Sequence, residues 1–172
     1  GHEMVVFDVR DATAPKYAAK IDARIGRTGD WSAPVALDGK LYLSFMAYGD
    51  TSTPEKGKES RNYRHYLKSV DFTDVENPAV SGEVNIPGRL LAVAHRGTTL
   101  LTVGCGFDLG GAPTSYRAFH TSDFDGTTAT LVDQRRTSSA YDPYALDGDT
   151  LYIGSRETPD GRATRINAWQ IG

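Results

Sequence analysis

Several features that would mark other classes of protein are missing or scarce in this sequence. The 172-residue chain has one cysteine, Cys105, which cannot form a disulfide within the chain. It has no apolar run near the roughly 20 residues that a membrane-spanning helix requires. Its net charge of −3 includes no basic excess that would favour nucleic acid or an anionic membrane surface. We therefore expect neither a membrane span nor a nucleic-acid partner.

Helical periodicity is also nearly absent. No stretch of three or more turns combines apolar residues at 3.6-residue spacing with a helix cap. Instead, 18 glycines, eight prolines and nine tyrosines indicate strands and tight turns. The first four residues lack the pattern of a signal peptide, which leaves open a mature secreted protein, a piece of a longer chain or a cytosolic protein.

Three strand–turn–strand segments align with one another. They are residues 32–45, 90–103 and 142–155. Each contains a dipeptide with glycine second: Asp38-Gly39, Arg96-Gly97 and Asp147-Gly148. Such dipeptides favour a two-residue type I′ hairpin turn, in which both residues have positive φ. The turns are 58 and 51 residues apart, so the alignment indicates an internal repeat.

Further strands extend the repeat. A third strand of each unit is predicted at residues 4–9, 65–72, 114–124 and 163–171, and a fourth at residues 16–24, 79–86 and 129–137. With strands a to d in each unit, the chain then reads c-d, a-b-c-d, a-b-c-d, a-b-c. This order predicts an all-β fold made of β-propeller blades, each with four antiparallel strands.

A repeated phrase supports the same interpretation. Asp8, Asp11 and Pro15 recur 63 positions later as Asp71, Asp74 and Pro78. We expect the phrase to form the corner between strands c and d, because aspartate side chains bind nearby backbone N–H groups. Proline is tolerated at the entry to an outer edge strand. The third corner, in residues 122–128, has aspartates but no proline.

The predicted architecture is a single partial propeller that occupies residues 1–172. Its blade pieces are approximately residues 1–25, 31–87, 89–138 and 140–172. About three blades are too few for a closed ring, since propellers typically have four to eight. The ring is therefore expected to be completed by the rest of a longer polypeptide, by a second copy or by a different chain.

The corner phrases and the link through Gly82, Pro87 and Gly88 resemble bacterial extracytoplasmic propellers built from LVIVD-type repeats. The resemblance covers most of the chain and implies a secreted protein in the extracellular space, in the periplasm or at the cell surface. It brings no catalytic residues with it.

Motifs that carry chemistry are not found. His2, His65, His95 and His120 lack the spacing of metal ligands. The acidic stretches at 122–128 and 146–152 depart from the EF-hand pattern, and turn chemistry explains them better. There is no P-loop, nucleophile elbow or dinucleotide fingerprint. We expect no metal, no cofactor and no catalytic residue.

Four residues are candidates for ligand binding. Trp31 and Arg89 occupy equivalent positions near the start of innermost strands, where a sugar or carboxylate would meet an aromatic ring and a forked donor. Trp31 packed between blades is an equally weighted alternative. His95 ends an innermost strand and could lie near the central channel, although an ordinary turn or surface histidine is the favoured interpretation. Tyr144 is the counterpart of Val35 and Val93.

The leading hypothesis is a non-catalytic extracytoplasmic module that binds protein or glycan. A structural subunit that completes a ring with another chain is the alternative, and a hydrolase or lyase with an axial site is a second alternative. The polar segment 49–65 is a further recognition candidate, because long loops on rigid scaffolds often bind partners. A solvated, mobile loop between strands b and c is the slightly favoured alternative.

If the corners are structural, replacing Asp71 by alanine or Pro78 by glycine will lower the melting temperature without affecting a ligand. Asp71→Asn is the matched control, since asparagine also forms such turns and should lose less stability. Thermal unfolding and ligand titration measure the two effects separately. Lost binding at unchanged stability would contradict a structural role.

Overall fold

Antiparallel strands dominate the computed structural model, which describes residues 3–22, 32–48, 63–137, 144–156 and 164–171. Within these ranges there is no α-helix, and a single 3₁₀ turn occupies His95–Gly97. The all-β prediction is confirmed. No helix in the described part of the chain is long and apolar enough to cross a membrane.

Residues Gly1–Ile86 form the first of two compact units. Its strands are β1 (Glu3–Asp8), β2 (Lys16–Asp22), β3 (Val35–Leu37), β4 (Lys40–Tyr48), β5 (Tyr63–Asp71), β6 (Ala79–Val80) and β7 (Val84–Ile86). β1 and β2 form one sheet. The second sheet has the order β3-β4-β5-β6, and β7 also pairs with β5.

Residues Pro87–Gly172 form the second unit. Its strands are β8 (Arg89–Ala94), β9 (Thr99–Phe107), β10 (Pro113–Phe124), β11 (Ala129–Thr137), β12 (Tyr144–Asp147), β13 (Thr150–Arg156) and β14 (Thr164–Gln170). They form one sheet with the order β8-β9-β10-β11 and another with the order β12-β13-β14. Neighbours in each sheet are also neighbours in sequence, as the predicted a-b-c-d order requires.

Each unit contains an apolar cluster contributed by two sheets. In the first unit, Ile21 of β2 joins Leu43 of β4 and Val70 of β5. In the second, Leu101 and Phe119 join Leu151 and Ile153 of β13 and Ile171, which follows β14. Alternate residues of a strand point to opposite faces, so one apolar face of each sheet is available for this packing. Each large buried side chain contributes on the order of 1.5–3 kcal/mol.

The hairpin prediction is confirmed at one turn and wrong at two. Asp38 and Gly39 have φ values of 47° and 75°, as a type I′ turn requires. At the second turn, Ala94 pairs with Thr99, so the loop has four residues and not two. At the third, Asp147 pairs with Thr150. Its central residues are therefore Gly148 and Asp149, with positive φ only at the glycine, as in a type II′ turn.

The predicted fourth strand at 79–86 is interrupted. Val80 pairs with Val70 but Val84 pairs with Leu67, so one extra residue lies on this side of the ladder. At the interruption, the Ser69 N–H donates to the Ser81 hydroxyl at 2.8 Å. A side-chain oxygen thus replaces a backbone carbonyl, which is why β6 and β7 are separate short strands.

The aspartates at the corners bind the backbone as predicted. Asp71 accepts bonds from the N–H and hydroxyl of Thr73, at 2.9 and 2.6 Å. Asp125 does the same with Thr127 and Thr128, which explains how the third corner forms without proline. These bonds lower the pKa of both carboxyls. Their stabilisation is present above a pH of about 4 and is lost as the pH falls through the folded-state pKa values.

The link before β8 is a close approach between two backbones. A Cβ atom on Gly88 would collide with the carbonyl of Val103, and one on Gly104 would lie 2.7 Å from the carbonyl oxygen of Pro87. Both obstacles are backbone atoms, which a rotamer change cannot move aside. Glycine is required at these two positions because there is no space for a side chain.

His120 of β10 is fully buried. Its Nε2 donates to the carbonyl of Cys105 at 3.0 Å, so Nδ1 is unprotonated and accepts from the Thr102 hydroxyl at 3.4 Å. Burial lowers the pKa of His120 from 6.5 to about 4. The imidazole is therefore a neutral structural group at physiological pH.

Gly88→Ala is expected to lower the free energy of unfolding by about 1–3 kcal/mol, the usual range for an overpacked site. Gly82→Ala is the matched control, because a Cβ there meets nothing within 4 Å. It should leave stability unchanged or raise it slightly. Urea denaturation of both variants measures the difference, and equal effects would contradict the close approach.

His120 should make the protein sensitive to mild acid. Below pH 6.5 His120 is protonated in the unfolded state, whereas in the folded state it stays neutral until about pH 4. The free energy of unfolding is therefore full at neutral pH and falls between pH 6.5 and about pH 4. The loss is on the order of 3 kcal/mol. Urea midpoints from pH 7.5 to 4 should fall less steeply in His120→Gln than in the wild type. An unchanged slope in His120→Gln would contradict the assignment.

Candidate functional site

Arg89 and Tyr144 flank one stretch of the core in the second unit. Arg89 begins β8, is exposed and pairs with Val103, which in turn pairs with Phe119. Tyr144 begins β12 and is 44% exposed. Its ring stands edge-on to that of Phe119, with 6.0 Å between the centroids. The first residue of β12 is thus an exposed aromatic ring in contact with Phe119, and the first residue of β8 is an exposed cation two strands away from Phe119 in the same sheet.

Arg135 and Trp169 lie on the other side of Phe119. Arg135 pairs with Phe119 across β10 and β11. Its guanidinium lies 5.7 Å from the ring centre of Trp169 and 3.2 Å from a carboxylate oxygen of Asp133. Arg135 is therefore held by a cation–π contact and an ion pair. Among the described residues, no ion pair involves Arg89, so its guanidinium is available to a ligand.

The position of Arg135 beside Phe119 was not predicted from the sequence. At the corner, Phe124 pairs with Ala129. In a regular antiparallel ladder that starts from this pair, Gln134 would lie opposite Phe119. A register shift between Thr121 and Ser122 places Arg135 there instead. A bulge of this kind is set by the paired strands together, and one strand's pattern does not reveal it.

His95 lies elsewhere, inside the turn that follows β8. Its Nδ1 is 3.0 Å from the Thr99 hydroxyl, and its Nε2 is 3.0 Å from a carboxylate oxygen of Asp149 in the β12–β13 turn. The contact ties two hairpin turns of neighbouring sheets in the second unit. Both side chains are substantially exposed, at 34% and 50%. An exposed pair of this kind contributes about 0–1 kcal/mol.

The four predicted ligand residues therefore do not form one site. Tyr144 contacts Phe119, and Arg89 lies two strands away from Phe119 in the same sheet. His95 follows the opposite end of the six-residue strand β8, roughly 20 Å from Arg89 at about 3.3 Å per residue. Trp31 lies outside the described residues, as does most of the predicted recognition segment, residues 49–62.

The first unit carries a shallow open groove of about 650 Å³ along β2 and the corner before β6. Lys20, Glu76 and Asn77 are among its lining residues. Because this lining combines both signs of charge in an open depression, it points to no single class of ligand. In the ranges that the structure covers, no three histidine, cysteine or acidic residues are grouped as a metal site would need.

No family model matches the sequence, and no curated protein matches it. The resemblance to LVIVD-type repeats therefore stays a prediction, and the functional argument depends on the chain's own geometry.

Proposed function

We propose that the chain is a non-catalytic, extracytoplasmic binding module with the blade organisation of a β-propeller. The support for blades is a repeated packing position. Leu41 and Leu43 contact the preceding sheet in the first unit, and their counterparts Leu151 and Ile153 do so in the second. Stacked antiparallel sheets that reuse equivalent positions are typical of propeller blades.

The surface around Arg89 and Tyr144 is the proposed ligand site. A tyrosine ring anchored by its edge offers a flat apolar face to the C–H groups of a sugar ring. An arginine with an uncommitted guanidinium offers paired donors that match a carboxylate. The combination favours a glycan that carries carboxylates, such as a uronic acid polymer. The single observation that carries this proposal is the joint exposure of these two side chains beside the buried Phe119.

The hydrolase alternative has one geometric argument, the chain of hydroxyl, imidazole and carboxylate formed by Thr99, His95 and Asp149. In a Ser-His-Asp triad the carboxylate binds Nδ1 and the hydroxyl binds Nε2. Here the two partners are exchanged, and Thr99 is a local neighbour four residues from His95. The contact serves better as a tether between turns than as a nucleophile system.

Affinity electrophoresis in gels containing polygalacturonate or alginate tests the binding proposal, with neutral pullulan as the comparison polymer. The wild type should be retarded by the acidic polymers only. Arg89→Ala should weaken binding roughly tenfold to a hundredfold, since a charge-assisted hydrogen bond contributes about 1.5–3 kcal/mol. Tyr144→Ala should also weaken binding.

Arg96→Ala is the matched control, because Arg96 is an exposed arginine in the turn beyond the other end of β8. It should bind as the wild type does. Equal losses in Arg89→Ala and Arg96→Ala would indicate general charge attraction, and no retardation by either acidic polymer would reject the proposed glycan.

A further inference from the structure

The fourth strand of the repeat contains one residue more than the strand with which it pairs. In the first sheet, Val6 pairs with Ala19 but Phe7 pairs with Tyr17, so Ala18 of β2 has no partner on β1. An extra residue of this kind is a β-bulge, which bends its strand and increases the local twist. The ladder between β1 and β2 is therefore interrupted two residues after the corner.

The same interruption recurs in the other two fourth strands. Thr121 pairs with Asp133 but Ser122 pairs with Leu131, so Val132 is the extra residue of β11. In the second sheet, the interruption between β6 and β7 also adds one residue on the outer side. All three extra residues fall within the first five positions of the strand that follows the corner, so the bulge is part of the repeat.

The strands inside the sheets are regular by comparison. β4 and β5 pair through nine consecutive residues and β13 and β14 through seven, without a shift. β9 and β10 pair regularly from Thr99 to Cys105 and shift only next to their connecting loop. In the described part of the chain, β1 and β14 also lie at a sheet edge. Both are third strands of the repeat, a position that is interior in the two four-strand units.

The first strands of the repeat, which lie at the opposite edge, are short or interrupted. β3 has three residues and β12 has four. β8 is longer, with six residues, and it contains a bulge: Leu90 pairs with Thr102 but Ala92 pairs with Leu101, so Leu91 is extra. Among the described strands, every first or fourth strand of the repeat is therefore either at most four residues long or interrupted.

These interruptions limit what another chain can pair with. A regular edge strand exposes a row of unpaired N–H and C=O groups, which a strand of another molecule can bind. Beyond an extra residue the outward-pointing groups are out of phase by one position, so a regular partner strand can pair on one side only. The longest uninterrupted stretch is residues 19–22 in β2 and residues 133–137 in β11.

We propose that the extra residues of β2, β6–β7 and β11 protect the outer edges of the sheets against pairing with another chain. The observation that carries the proposal is their placement. They lie on the edge strand in each case, at a similar distance from the corner, and the strands inside the sheets lack them. The proposal is independent of the glycan site at Arg89 and Tyr144. It implies that partners do not bind by adding a strand to β2 or β11.

Deletion of Val132 tests the proposal, because the eight pairs between β10 and β11 can all remain. The shortened β11 would present eight regular residues at the edge, in place of a longest run of five. We expect this variant to stay folded and to self-associate, with an apparent Kd at least roughly tenfold below that of the wild type. The reason is that additional backbone hydrogen bonds can form between two copies.

Sedimentation velocity over a range of protein concentrations measures the association, and hydrogen exchange locates it. Exchange of the backbone amides in residues 129–137 should become slower at high concentration in the deletion variant and not in the wild type. Val132→Ala is the matched control, since it changes the side chain but keeps the extra residue, and it should sediment as the wild type does.

Deletion of Ala18 is a second, independent test, because the six pairs between β1 and β2 can also remain. Circular dichroism checks that each variant is folded, and a folded variant decides the question if the other unfolds. If both unfold, the extra residues are required for the fold itself and the protective role is rejected.

Other outcomes would also overturn the proposal. Folded deletion variants that sediment as the wild type does at every concentration would show that the extra residues do not protect the edges. Equal association in Val132→Ala and in the Val132 deletion would assign the effect to the side chain. Association without slower exchange in the shortened strand would place the contact elsewhere on the molecule.

Discussion

The packing of one sheet's apolar face on the next is the interaction on which this structure depends. A two-stranded sheet such as β1–β2 is marginal alone in water, and it is stabilised here because Ile21 packs against Leu43 and Val70. The same contact between Phe119 and the last sheet holds the second unit together. Tyr144 and Trp169 are oriented by that core, so the surface that we assign to ligand binding is a by-product of sheet packing.

Local sequence patterns predicted the strands well. The strand Ala129–Thr137 has the predicted bounds, and Pro113–Phe124 and Thr164–Gln170 differ from theirs by at most one residue at each end. These segments succeed because alternation, β-branched residues and flanking glycines all act within a few positions. The corner aspartates were predictable for the same reason, since each binds groups two or three residues away.

Features that involve two strands were not predictable in this way. The turn at Asp147-Gly148 shares its dipeptide with Asp38-Gly39, yet the pairing of Asp147 with Thr150 moves the loop by one residue. That movement places Asp149 in the turn, where it meets His95. The position of Arg135 beside Phe119 likewise depends on a bulge. Repeat alignment selected Arg89 and Tyr144 as ligand candidates because they occupy repeated positions. The alignment did not separate His95 from them, because it gives positions within the repeat and not distances along a strand.

The corners have a consequence for how the chain folds. Their hydrogen bonds join residues two or three apart, as at Asp74 with Glu76 and Asn77, so closing them costs little chain entropy. Such a corner can form before its flanking strands pair, on the fast timescale of local structure. Once formed, it fixes where strand c ends. A one-residue slip in strand pairing would exchange the two faces of the sheet. A corner that forms early prevents this slip. We therefore expect the aspartate-containing corners to fix the strand register during folding, at the points where pairing would otherwise be ambiguous.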